Sequence, residues 1–146
     1  NNLSGDCSVE HLSGAIMFIN KFNLDKIGYF DEKFFLYYED DDLCIRSKKA
    51  GYENILVHNI FVGHYGGGSI GPPNFFNQWE KNYHLCYSRC CIEKKYFGYF
   101  KSKLLALKIF LIFLTKFCGH VILLQYKKLS KDVASLCGAL YFFVKG

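Results

Sequence analysis

The sequence predicts an α/β chain that runs into a helical, amphipathic tail. Three features point there. Short apolar extended runs alternate with helical stretches in the first half; the pattern is helical from Phe75 almost to the end; and charge divides along the same line. Residues 1–80 hold 6 Lys+Arg against 11 Asp+Glu, a net of −5, whereas residues 81–146 hold 12 against 2, a net of +10.

Residues 9–20 (VEHLSGAIMFIN) suit an extended segment, with Gly14 placed where another group could approach the backbone closely. Phe22–Ile27 suits a short helical turn stopped by Gly28. A second helix begins near Glu39. Its first turn is crowded with acids, Arg46, Lys48 and Lys49 fall in its last turns, and Gly51 can close it in a left-handed conformation. Two β-rich runs follow, Ile55–His58 and Ile60–His64, and then a glycine-rich loop, Tyr65–Pro73.

The apolar run Leu104–Leu124 has the length to cross a bilayer. Lys108 and Lys116 interrupt it, and each would cost roughly 2.5–3.5 kcal/mol near the bilayer centre. At 100° per residue, Lys101, Lys108, Lys116, His120 and Lys127 fall in one broad stripe, with Leu105, Ile109, Ile112, Phe113 and Leu123 largely elsewhere. The expectation is a helix lying in the membrane interface, its lysines on anionic headgroups, rather than a spanning one. The competing arrangement packs its apolar face on the protein's own domain.

With 51% apolar and 18% aromatic residues, the chain is neither disordered nor of low complexity. The basic half is also the most apolar half, which speaks against a nucleic-acid partner. Seven cysteines include no CxxC pair. The segment His84-x-Cys86-x-x-x-Cys90-Cys91 lacks the two spaced ligand pairs of a zinc site, so reduced thiols are expected.

Glu39-Asp40-Asp41-Asp42 is the densest chemical signal. Carboxylates at a helix start accept free backbone N–H groups, and Asp42 can pair with Arg46 one turn on. Four in a row repel one another, a cost that binding a cation or a reacting hydroxyl could offset. Both roles stay open on local chemistry. The spacing lacks the glycine and distal glutamate of a calcium EF-hand loop. His64 leads directly into Gly66-Gly67-Gly68-Ser69, a loop able to offer amides to a phosphate, although it has neither Walker nor GxGxxG spacing.

In order, Ser13-Gly14-Ala15, Gly28-Tyr29-Phe30-Asp31-Glu32, Phe34-Phe35-Leu36-Tyr37-Tyr38-Glu39-Asp40-Asp41-Asp42-Leu43-Cys44-Ile45-Arg46, Ala50-Gly51-Tyr52, and His64 before the glycines and Ser69 resemble family-2 glycosyltransferases. The rhamnosyltransferase-like enzymes of bacterial surface polysaccharide synthesis are the nearest subgroup, over roughly residues 9–100. The resemblance implies the C-terminal half of a GT-A fold and inverting transfer from a nucleotide-sugar to a saccharide or lipid-linked acceptor. It also implies a divalent metal, Mg or Mn, on the donor diphosphate. By the resemblance Asp40 is the general base that takes the proton of the acceptor hydroxyl; a base must be ionised, which a helix N-terminus favours. Glu39, Asp42 and Arg46 fall on orienting or acceptor-side positions, Gly14 and Ala15 near the transferred sugar, and His64 near the metal or diphosphate. Asp41 departs from the family pattern, which more often has an apolar or hydroxyl residue there.

The family's nucleotide-binding half and its Asp-x-Asp metal carboxylates have no counterpart, and the only Asp-x-Asp is Asp40-Asp41-Asp42. With Asn1 in place of Met, the expectation is a piece of a longer enzyme that by itself binds nucleotide-sugar poorly. Residues 1–95 would be its acceptor-binding and catalytic part, and 96–146 a membrane-associated tail at the cytoplasmic face. The alternative is a non-catalytic, membrane-docked module that holds a cation or a partner.

Overall fold

The computed structural model describes residues 5–64 and 74–146. Among them are one short strand pair and five helices: β1 (Cys7–Val9), α1 (Lys21–Ile27), α2 (Glu39–Lys49), β2 (Asn54–Leu56), α3 (Phe75–Phe97), α4 (Tyr99–Ile122) and α5 (Tyr126–Lys145). The chain divides into two compact units. One comprises residues 1–32 and 39–66, the other residues 33–38 and 67–146.

The α/β, GT-A expectation is overturned. Helices dominate the described residues, and the only sheet is an antiparallel ladder of Cys7 on Leu56, Ser8 on Ile55 and Val9 on Asn54. A strand exists only where a neighbour completes its hydrogen bonds, and three or more strands are needed for a sheet stable by itself. The apolar runs at 12–20 and 60–64 have the right composition but no ladder partner among the described residues.

In the first unit the helices form where the sequence places them. Asn20 caps α1 by accepting from the backbone N–H of Phe22 and Asn23, and Gly28, at φ 84°, ends it. Helix α2 opens on the four acids and closes through Gly51 at φ 83°. Its inner face buries Asp42, Leu43 and Cys44. The Asn54 amide donates to the carbonyls of Glu10 and Cys44, tying α2, β2 and the chain after β1 together.

The second unit is a bundle of α3, α4 and α5. Asn74 caps α3 through Asn77 N–H at 2.8 Å, Gly98 at φ 95° separates α3 from α4, and a turn at Leu123–Gln125 separates α4 from α5. Lys103 bonds the carbonyls of Phe142 and Phe143, and His120 pairs with Asp132, so α4 and α5 run antiparallel. The core holds Cys86, Cys90, Ala106, Ile109, Ala139 and Phe142. Helix α5 lies close on α3 at Gly138, where a Cβ would lie 2.4 Å from the Tyr83 carbonyl oxygen. The proposed lysine stripe does not survive as one surface, because Lys127 belongs to α5 and His120 faces Asp132.

Candidate functional site

The acidic cluster sits at the start of α2, where free N–H groups and the positive end of the helix dipole favour carboxylates. Its four members have four different surroundings. Asp40 Oδ2 accepts the backbone N–H of Gly14 at 2.8 Å, and Asp40 Oδ1 accepts that of Asp41. Gly14 is therefore the close approach foreseen in residues 9–20: a Cβ there would lie 3.1 Å from Asp40 Cβ and 3.2 Å from its Oδ2. Asp41 pairs with His11 Nδ1 at 3.0 Å. Burial pushes its carboxyl above the ordinary value and Asp40 adds to this, against the pull of His11.

Asp42 is completely buried and bonds Arg46 Nε at 2.8 Å. The rest of the Arg46 guanidinium is spent on main chain: Nη1 donates to the carbonyls of Ile27 and Gly28, and Nη2 to that of Tyr29. This pair fixes α2 against the end of α1. Glu39 differs again, since its Oε2 is buried without a hydrogen-bond partner. Burial raises its carboxyl, and the charges of Asp40 and Asp41 add to this, while its own backbone N–H opposes it. Just before it, Tyr37 and Tyr38 hold φ values of 66° and 70°, unusual for residues with a Cβ and a form of strain that concentrates at functional sites.

Ser13 and Ala15, either side of Gly14, line an apolar cleft of about 560 Å³ in the same unit. Ile16, Phe18, Leu43, Ile55 and Ile60 form much of its wall, and His64 lies on it. The structure thus joins Gly14 to Asp40 directly, places Ala15 and His64 on one cleft, and ties Asp42 to Arg46. The glycine loop that follows His64 lies outside the described residues.

Among the described residues, no three His, Cys, Asp or Glu side chains are grouped to hold a metal ion. Asp40, Asp41 and Asp42 are turned to Gly14, His11 and Arg46, which leaves Glu39 alone among the acids of α2, so the described residues do not make a metal site. In the second unit, burial pushes the Cys86 thiol up and the Cys90 thiol up to about 12, with Cys86 adding to the latter. These stay protonated and serve as core packing, while the His84 ring lies against Phe35 at 4.9 Å between centroids.

Sequence reasoning passed over His11, and no local pattern links it to Asp41 thirty residues away. It also passed over the left-handed pair Tyr37-Tyr38, because tyrosine gives no turn signal.

No protein-family model and no solved structure matches this chain. Over 60 residues it is 37% identical to an N-acetylglucosaminyl-diphospho-decaprenol L-rhamnosyltransferase, found in two strains of Mycobacterium tuberculosis; this is 41% of the chain and 20% of the relative. Over 49 residues it is 40% identical to the low-salt glycan biosynthesis hexosyltransferase Agl10 of Haloferax volcanii, covering 34% of the chain and 15% of that protein. The match thus spans about a fifth or less of the length of these curated relatives. It supports a relationship to glycosyltransferases at the level of the family, over a short stretch.

Proposed function

We propose that this chain carries the acceptor-side, catalytic portion of an inverting glycosyltransferase, with residues 1–95 as that portion and 96–146 as a membrane-associated tail. The single observation that supports it best is the carboxylate of Asp40, held by the Gly14 amide beside an apolar cleft at the start of α2. A general base has to be ionised, aimed and reachable; the backbone N–H groups of Gly14 and Asp41, one on each oxygen, fix its aim, and each oxygen keeps a lone pair to accept a proton.

In the proposed reaction an acceptor hydroxyl gives its proton to Asp40. Its oxygen forms a bond to the anomeric carbon of the donor as the bond to the departing nucleoside diphosphate breaks, with inversion at that carbon. Glu39, Asp42 and Arg46 orient the acceptor side, Asp42 and Arg46 by fixing α2. Gly14 and Ala15 border the transferred sugar, and His64 approaches the donor diphosphate. A divalent cation, Mg or Mn, belongs to this chemistry; the residues here would offer it at most His64, and no step is assigned to it. The acceptor is a saccharide or lipid-linked saccharide of surface polysaccharide synthesis, met at the cytoplasmic face of the membrane by a peripheral protein.

The test is transfer itself, in a polypeptide that also supplies a nucleotide-binding part. A panel of nucleotide-sugars is offered with a lipid-linked saccharide, and the anomeric configuration of the product is read by NMR. An inverted linkage is expected. Absence of transfer from every donor, or a retained configuration, would contradict the proposal.

A further inference from the structure

The turn between α4 and α5 has a composition that water does not favour. Turns exposed to water are built from Gly, Asn, Asp, Ser and Pro. This one reads Val121-Ile122-Leu123-Leu124-Gln125, with Ile122 79%, Leu123 65% and Leu124 66% exposed. Leu124 even takes the left-handed conformation, at φ 56°, that glycine or asparagine would adopt at less cost.

Its amides are satisfied from within. Leu123 N–H donates to the Gly119 carbonyl at 2.9 Å, Leu124 N–H to Val121 at 3.1 Å and Gln125 N–H to His120 at 2.8 Å. An apolar turn with closed amides can leave water at little cost in hydrogen bonds. Charge around it has one sign. Lys116, Lys127, Lys128 and Lys131 are exposed within about two turns of helix, whereas Asp132 is buried and paired with His120. The opposite end of the hairpin also carries exposed lysines, Lys101 and Lys145, with Lys103 there occupied by the carbonyls of Phe142 and Phe143, so what sets this turn apart is its unbroken apolar run between the lysines.

We propose that this turn is the point at which the tail enters the membrane: Val121–Leu124 insert end-on into an anionic bilayer while Lys116, Lys127, Lys128 and Lys131 hold its headgroups. Lysines set this close behind four apolar residues limit the depth to the headgroup–acyl boundary. The long side of α4 also exposes Leu104, Leu107 and Leu111, with Lys108 among them; contact is placed at the tip instead, where Val121–Leu124 run without an intervening charge. This deepens the membrane-associated part of the proposed function and rests on it.

The test uses the full chain and co-sedimentation with phosphatidylglycerol–phosphatidylcholine vesicles against pure phosphatidylcholine, with far-UV circular dichroism to confirm folding. Leu123→Asp is expected to weaken binding to the anionic vesicles at least tenfold, and Leu107→Asp to change it less than twofold. The paired Lys127→Glu and Lys128→Glu variant should also lose at least tenfold at low salt, and wild-type binding should fall with added salt. Equal losses from Leu107→Asp and Leu123→Asp would overturn the end-on mode and leave membrane association standing. Equal binding to both vesicle types would overturn the role of the lysines. Failure of the wild-type chain to bind either would overturn both this proposal and the peripheral location.

Discussion

Replacing Arg46 by methionine should unsettle α2 more than any other single exchange on its surface. The guanidinium makes four hydrogen bonds of 2.7 to 2.8 Å, one to Asp42 and three to the carbonyls of Ile27, Gly28 and Tyr29. Asp42 has no exposed surface. Arg46→Met keeps the aliphatic packing but leaves a carboxylate buried without its cation. Removing one partner of a buried pair costs about 3–5 kcal/mol. The three carbonyls, nearer to solvent, recover most of their bonding from water. At about 1.4 kcal/mol per factor of ten, amide protection in residues 39–49 should fall by roughly two to three orders of magnitude. Hydrogen exchange read by mass spectrometry on that segment measures this, with residues 83–97 of the second unit as the internal reference. The double variant Asp42→Leu, Arg46→Met should regain most of the protection, since an apolar pair of similar volume often replaces a buried ion pair without net loss. Protection within threefold of wild type in the single variant would show that the Asp42–Arg46 pair does not hold α2, as would a double variant no better than the single.

Three further outcomes follow from other contacts. Gly14→Ala puts a methyl group 3.1–3.2 Å from Asp40, so the carboxylate must shift; transfer should drop roughly tenfold, because small misplacements of a catalytic group are expensive. Glu39 is raised above its ordinary 4.5 by burial and by Asp40 and Asp41, so the folded state binds its proton more tightly than the unfolded state and stability falls as pH rises through that range. Glu39→Gln should therefore raise the urea midpoint at pH 7 and lose this advantage at pH 4; an undiminished gain at pH 4 would contradict it. Gly138→Ala sets a Cβ 2.4 Å from the backbone oxygen of Tyr83, an overpacking cost of about 1–3 kcal/mol that outweighs alanine's helix propensity, so unfolding followed by the single tryptophan, Trp79 on α3, should shift to lower urea.

Local order was legible from the residues, and pairing was not. Asn20, Gly28 and Gly51 mark helix ends through side-chain caps and positive φ, and these signals act within four residues. The extended segment at 9–20 and the β-rich runs at 55–58 and 60–64 were read from composition, which says what suits a strand but not whether a neighbour will complete its ladder. Only Val9, Ile55 and Leu56 of these runs entered the ladder of β1 and β2. The helical tail was visible as periodicity. Where it folds back was not, since Leu123-Leu124-Gln125 carries no turn residue, and the lysine stripe was drawn on one straight helix that in fact ends at Ile122. At the candidate site the i,i+4 pair of Asp42 and Arg46 could be read directly, while the contacts Gly14–Asp40 and His11–Asp41 join segments that only tertiary structure brings together.

Whether Asp40 is the base is decided by the activity of Asp40→Asn, in a polypeptide that includes the nucleotide-binding part, with nucleotide-sugar binding recorded alongside transfer. Asparagine keeps the shape but has one acceptor oxygen, so it can hold the Gly14 amide while giving up that of Asp41, and it cannot take a proton from the acceptor. Transfer should fall by roughly 100-fold or more with donor affinity within about twofold of wild type. Transfer retained within a few fold would show that Asp40 is not the base.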